Sequence, residues 1–262
     1  VVLHWHSDIL KQKSLLKLYR PFEKWLIRRA DMIVGTTPVY VQQSPMLKEV
    51  QHKVDYIPIG VEELQPTPEG VERIRSQYPG KKIVYSLGRL VEYKGFVHLV
   101  DAASHLDEEY VVLIGGNGPL RETIERRIKE LELQDKVKLL GYVKEEESAD
   151  YFGACDVFCL SSIWKTEAFA IVQVEAMSCG KPIVATRIPE SGVSWVNRHE
   201  YSGVNVPIKS GIFLAEAIHY LTKSEWIYDG YAERARRLYE ECFTLDKMID
   251  RCVILYDKIL SE

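Results

Sequence analysis

The sequence predicts an α/β protein whose parallel sheets are covered by helices. Three observations predict it. Several short runs are rich in β-branched residues and nearly free of polar ones, the composition of strands buried on both faces. Amphipathic stretches of helical period separate them, and strand then helix in repetition implies right-handed crossovers. A Pro- and Gly-rich seam, IPIGVEELQPTPEG, divides the alternation in two. At 46% hydrophobic and 27% charged residues, the 262-residue chain has the balance of one large or two small folded domains, not of a disordered segment.

In chain order, strands are expected at residues 1–5, 32–35, 54–57, 83–87, 110–114, 137–140, 157–160 and 183–185. Helices are expected at 14–29, 39–50, 96–106, 120–133, 145–154 and 168–179, and the pattern after Ser210 is purely helical. Residues 1–57 read as the tail of one Rossmann-like domain and residues 58–240 as a more complete second one. Residues 241–262 form a helix expected to cross back to the first. No internal repeat and no low-complexity tract interrupts the pattern.

Composition narrows the function. A formal charge of -4 argues against a dedicated nucleic-acid binder. The five cysteines form no Cys-x-x-Cys pair and no zinc spacing, so they read as buried, reduced thiols of a cytoplasmic protein. No apolar run is long enough for a transmembrane helix. The chain opens inside an apolar run, VVLHWH, without a Met, which suggests upstream sequence.

Three segments can carry chemistry. In TEAFAIVQVEAMSCGKPIVAT, Glu167 and Glu175 flank seven residues, and Gly180 and Pro182 end a nearly apolar helix. A carboxylate at Glu175 is costly there without a partner. It is a structural ion pair, part of a helix face open to solvent, or a group waiting for a ligand diol, and spacing leaves these readings open. The amides of Phe169, Ala170 and Ile171 would be free first-turn donors for a phosphate. In YSLGRLVEYKGF, Gly88 allows a turn, and Arg89 and Lys94 can clamp a diphosphate or simply be exposed surface cations. In VVLIGGNGPL, Gly115, Gly116 and Gly118 let a ligand approach the backbone. Arg121 fills the third-glycine position counted from Gly116, which disfavours NAD.

Together these residues resemble the C-terminal domain of family 4 glycosyltransferases, also called glycosyltransferases group 1. The marks are GRLVEYKG, VLIGGNGPL, VKLLGYV, CDVFCLSS and EAFAIVQVEAMSCGKPIVAT, between Ile57 and Pro207. The resemblance implies the GT-B fold, two Rossmann-like domains with parallel sheets, the N-terminal one incomplete here. It implies that Arg89 and Lys94 hold the donor diphosphate, that Glu167 contacts the transferred sugar and that Glu175 binds the ribose. The base is expected to meet backbone near Tyr142 and Val143. The family often has Gly where this chain has Ala168 and Ala170, but alanine still permits helical amides to face a phosphate. HWHSDI resembles the strand end where the family's acceptor-side domain places an active-site histidine, implying His6, with His4 expected to point the opposite way. The front of that domain, with a glycine-rich loop and much of the acceptor pocket, is absent. This chain is therefore expected to bind nucleotide but transfer sugar poorly.

The implied reaction moves a sugar from a nucleoside-diphosphate donor to a hydroxyl with retention. The donor is a substrate, and no cofactor is implied. Arg89, Lys94 and the helix N-terminus would stabilise the leaving diphosphate, and no Asp-x-Asp motif asks for a metal. The opening segment resembles bacterial enzymes of surface-polysaccharide assembly, some of which use GDP-mannose, with a UDP-sugar as the other donor. The acceptor would be a glycan or a polyprenyl-diphosphate-linked glycan. Residues 11–29 carry seven cations against one acid, Glu23, a net +6 that leaves -10 for the remainder. Aromatic and aliphatic residues are interleaved, which suits the anionic inner face of a cell membrane, or an ordinary helix with its apolar side inward. Pro21 suggests two shorter helices. The competing functions are a donor-binding pseudoenzyme, a Rossmann oxidoreductase and a sugar-nucleotide epimerase.

Overall fold

The computed structural model describes residues 1–6 and 13–261, with side chains from Leu18 onward in the first helix. Two parallel sheets organise it. The smaller has the order β1-β2-β3, with β1 Val2–Trp5, β2 Met32–Gly35 and β3 Val54–Tyr56. Helices α1 Lys13–Arg29 and α2 Pro38–Gln43 connect these strands. The larger holds β4 Lys82–Leu87, β5 Tyr110–Gly115, β6 Val137–Gly141, β7 Val157–Leu160, β8 Ile183–Arg187 and β9 Gly203–Pro207. Its spatial order is β6-β5-β4-β7-β8-β9, so the direction of winding reverses between β4 and β7.

Between and after these strands run α3 Pro68–Arg75, α4 Phe96–Ala103, α5 Arg121–Glu130, α6 Glu145–Ala154, α7 Ile171–Ser178, α8 Val193–Val196, α9 Gly211–Thr222, α10 Glu225–Cys242 and α11 Leu245–Ser261. Every residue of β5 and β7 is buried, as the unbroken apolar runs required. One face of the larger sheet packs Val84, Val112 and Val184 against α4, α5 and α9. The other packs Tyr85, Leu113 and Phe158 against α6, α7 and α10.

Several elements differ from expectation, each for a local reason. The helix expected at 39–50 is α2 followed by a 3-10 turn, Lys48–Lys53, because Pro45 holds Ser44 in an extended conformation. The seam contains α3, with Thr67 accepting a hydrogen bond from the Gly70 amide and Pro68 at the first helical position. Its partner α6 supplies the buried Asp150, whose Oδ1 accepts from the Thr67 amide at 2.7 Å. Strand β9 escapes a hydrophobic reading because Asn205 stands at its centre. Asn205 is buried and bonded to Asn197, Nδ2 to backbone oxygen at 2.7 Å. Helix α1 runs continuously through Pro21 instead of dividing there.

Helix α7 begins at Ile171, not Ala168. Ala170 takes the left-handed conformation, φ 62° and ψ 79°, and its carbonyl accepts the Gln173 amide at 3.0 Å. A side chain at such a φ costs about 1–2 kcal/mol. At the other end Gly180 takes φ 64° just past the helix, as its place in the sequence predicts.

Candidate active site at the switch point of the larger sheet

In an open parallel sheet, ligands bind beyond the carboxyl ends of the strands where the winding reverses. Here that crevice lies between β4 and β7. After β4, the chain passes Gly88 and Arg89 and reaches Lys94 through a 3-10 turn. After β7, it passes Ser161 and Ser162 and reaches Glu167. The two loops are stitched together. The Ile163 amide donates to the Tyr93 carbonyl at 2.7 Å, and Ser161 Oγ donates to the Lys94 carbonyl at 2.9 Å. Gly95 sits so close to the Ser161 carbonyl that a Cβ there would lie 2.2 Å from its oxygen.

Across this crevice Lys94 Nζ lies 2.5 Å from Glu167 Oε2; Glu167 is buried and Lys94 mostly so. Ser162 Oγ donates to the same carboxylate oxygen at 2.8 Å. The Ser191 hydroxyl donates to the Glu167 carbonyl. Sequence reasoning missed Ser162 and Ser191; two serines directly after a fully buried parallel strand were the signal available for the first. A buried pair of this kind is held by its hydrogen bonds, because desolvation consumes most of the Coulomb attraction.

The amides of Phe169, Ala170 and Ile171 have no hydrogen-bond partner among the described residues. They follow Glu167 and open α7, so donors and cation share one end of the crevice. Arg89 is exposed beside Gly88 and has no ion-pair partner among the described residues.

The glycines form the opposite wall. The Gly88 amide donates to the Gly115 carbonyl at 3.0 Å, and a Cβ on Gly116 would lie 1.9 Å from the Gly88 oxygen. A Cβ on Gly118 would lie 2.4 Å from the Leu90 oxygen. The β4 and β5 loops are thus in backbone contact, and side chains there would force them apart. Tyr142 follows β6 and is exposed, while Val143 packs its Cγ2 near Gly115. Asn117, oriented with its amide oxygen toward β6, accepts from the Tyr142 amide at 3.3 Å.

Glu175 lies on the second turn of α7, half-buried, and its carboxylate makes no ion pair among the described residues. Burial pushes its pKa above the ordinary 4.5. Tyr85 stands beneath the same wall. Its hydroxyl is buried without a partner among the described residues and lies 3.2 Å from where a Gly115 Cβ would be. Burial is the main cause that pushes the Tyr85 pKa well up, and the Glu175 charge is among the others. Glu175 therefore lies within electrostatic reach of Tyr85 in β4.

The smaller sheet turns its own carboxyl ends toward this crevice. Ala168 packs in one cluster with Trp5, Ile33 and Tyr40. Gly192 donates its amide to the Ala168 carbonyl at 3.0 Å, and a Cβ on it would lie 2.3 Å from Thr37 Oγ1. His6 directly follows Trp5 and is exposed. The expectation that His4 points oppositely fails, because residues two apart on a strand share a face. The His4 and His6 rings stack, with centroids 6.3 Å apart.

Residues 71–241 match the family described as glycosyl transferases group 1. The chain belongs to that family. It is 34% identical to the O-antigen chain mannosyltransferase C of Escherichia coli, over all of this chain and 70% of that protein. It is 30% identical to the D-rhamnosyltransferase WbpZ of Pseudomonas aeruginosa, over 93% of this chain and 63% of that one. Among solved structures, Anabaena Alr3699/HepE in complex with UDP superposes with a TM-score of 0.87 at 20% identity, over 98% of this chain and 72% of that one. The sucrose-phosphate synthase of Thermosynechococcus elongatus gives 0.83 at 23% identity, over 99% and 68%. These neighbours establish the GT-B fold for a glycosyltransferase chain that spans about two thirds of its curated relatives.

Proposed function

We propose that this glycosyltransferase acts in polysaccharide or lipopolysaccharide assembly. It would transfer a sugar, with retention, from a nucleoside-diphosphate donor to a glycan carried on a polyprenyl diphosphate. The observation that carries the reading is the Lys94–Glu167 pair at the switch point, beside three partnerless amides. Without ligand, each of these charges serves as the other's counter-ion. A donor would separate them: its diphosphate takes Lys94, Arg89 and the amides of Phe169, Ala170 and Ile171, and its sugar takes the released Glu167. Charge that develops on the departing diphosphate then meets donors already in place, the form of stabilisation that favours the transition state over the ground state. The cations supply the neutralisation, so the reading needs no metal or other cofactor.

Glu175 holds the ribose diol in this reading, the backbone of Tyr142 and Val143 meets the base, and His6 lines the acceptor side. The Escherichia coli relative is named as a mannosyltransferase, which supports GDP-mannose as the donor. The Anabaena neighbour was solved with UDP, which keeps UDP-sugars as the alternative. A second reading is nucleotide binding without transfer.

Thermal shifts with GDP, UDP and their sugars test the donor site. The matching nucleotide is expected to raise Tm by about 5–10 °C at roughly a hundredfold excess over Kd. No shift with any nucleotide would sink the site. Glu167→Gln then separates binding from chemistry. It is expected to hold nucleotide as well as the wild type, since Lys94 loses its competitor, while transfer falls by about 100-fold or more. Wild-type chain that binds nucleotide and transfers nothing would select the second reading.

A further inference from the structure

Glu167 is held both at its backbone and at its carboxylate. Its amide donates to the Trp164 carbonyl at 3.0 Å, which closes a turn. Its carbonyl accepts the Ser191 hydroxyl, whose oxygen in turn accepts the Val193 amide at 3.2 Å. At the carboxylate, Oε2 takes two donors, Lys94 Nζ and Ser162 Oγ. Oε1 has no hydrogen-bond partner among the described residues.

The two donors are mounted differently. Lys94 reaches in from the β4 side of the crevice on a flexible four-carbon stem, so its ammonium can swing to a diphosphate. Ser162 is short, fully buried and on the same loop as Glu167. Its carbonyl accepts the hydroxyl of Thr186, itself fully buried in the neighbouring strand β8. Ser162 therefore stays in place whichever way Lys94 turns. A buried carboxylate that loses its cation is costly unless another donor remains. Among the described residues, Ser162 is that donor. A carboxylate only accepts, so the hydroxyl proton must point at Oε2. One oxygen is then pinned and the other is left for a ligand hydroxyl.

We propose, on the donor reading given above, that Ser162 is a positioning residue of this site. Its hydroxyl keeps the Glu167 carboxylate aimed at the transferred sugar once the diphosphate has taken Lys94.

Titration calorimetry with GDP against GDP-mannose, and with UDP against UDP-glucose, tests the proposal. Within each pair only the nucleotide sugar brings a group to Glu167. For the pair that binds, Ser162→Ala is expected to weaken the nucleotide sugar about tenfold, the worth of one hydrogen bond to a charged group. The diphosphate Kd should not change, which also shows that the loop carrying the Phe169, Ala170 and Ile171 amides is intact. Ser162→Thr keeps the hydroxyl and should recover most of the loss. Glu167→Ala should weaken the nucleotide sugar as well, and adding Ser162→Ala to it should cost nothing more, as for two residues that act as one. Nucleotide-sugar affinity that survives Ser162→Ala, while Glu167→Ala lowers it, overturns the proposal and leaves the donor site standing. Equal losses for diphosphate and nucleotide sugar would make Ser162 a support of loop shape, and overturn it too. Affinity for the nucleotide sugar untouched by Glu167→Ala would sink the donor reading itself, and Ser162 with it.

Discussion

Glu175 shows how much one residue can say. Its carboxyl titrates above 4.5 because burial strips solvent from the charged form and no cation among the described residues pairs with it. The sign follows directly. With a raised pKa the folded chain binds more protons than the unfolded one, so stability declines as pH climbs from about 4.5 through the raised value. Glu175→Gln removes the titrating group. Denaturant titrations of the ligand-free chain should show the variant gaining on the wild type between pH 4.5 and 7, and matching it below pH 4.5. The same variant should bind nucleotide more weakly, because the proposed diol partner is gone. Equal slopes with pH in both proteins would mean that Glu175 is solvated, and the ligand role would lose its physical basis. Ala170 is the second residue held against its preference, at φ 62°. The two strained positions frame the first turns of α7, where structures tend to store cost that function uses.

At the level of elements, the loop between β7 and α7 is the part of the site that the sequence disclosed least. Eight strands were readable because each is a short run of mainly β-branched and apolar residues, broken at most by a single polar one such as Asp55 or Lys138. The spacing of Glu167 and Glu175 was readable because polar residues stand out in apolar surroundings. The start of α7 was not, because a left-handed alanine carries no signature in composition. Nor was the contact of Gly192 with Thr37, which joins residues far apart in the chain. That contact fixes the loop from behind: Gly192 binds the Ala168 carbonyl, and Ala168 packs against Trp5 and Tyr40. Gly192 has an ordinary φ of -76°, so a side chain is excluded by space and not by backbone strain. Gly192→Ala should cost about 1–3 kcal/mol, as overpacking does, in chemical denaturation. It should also weaken nucleotide binding by displacing the Ala170 and Ile171 amides. A variant as stable as the wild type, with unchanged affinity, would show that the loop holds its shape without the smaller sheet.

For the whole molecule, the question is what holds the two sheets in one arrangement around the crevice proposed to admit a donor. Part of the answer lies far from the crevice, in α11. The chain leaves the larger sheet through α10, pairs Val61 with Thr244, and sends α11 across the smaller one. There Met248, Cys252, Leu255 and Ile259 pack on Val2, Met32, Val34 and Ile57. Gly60 has no room for a side chain, since a Cβ would lie 2.4 Å from the Thr244 carbonyl oxygen. Leu3, Trp5, Ile33 and Val54 pack one face of the smaller sheet against α1 and α2, and the last helix of the chain fastens the other. Leu255→Ala, at the centre of this contact, should cost about 2–5 kcal/mol. Calorimetry should then resolve an early transition for the smaller sheet, followed by the larger one near its original Tm. Nucleotide should still raise the second transition, because Lys94, Glu167 and Glu175 all belong to the larger sheet and its loops. A single transition lowered as a whole would instead mean that the two sheets unfold as one cooperative unit, with the crevice no weaker a seam than any other part of the core.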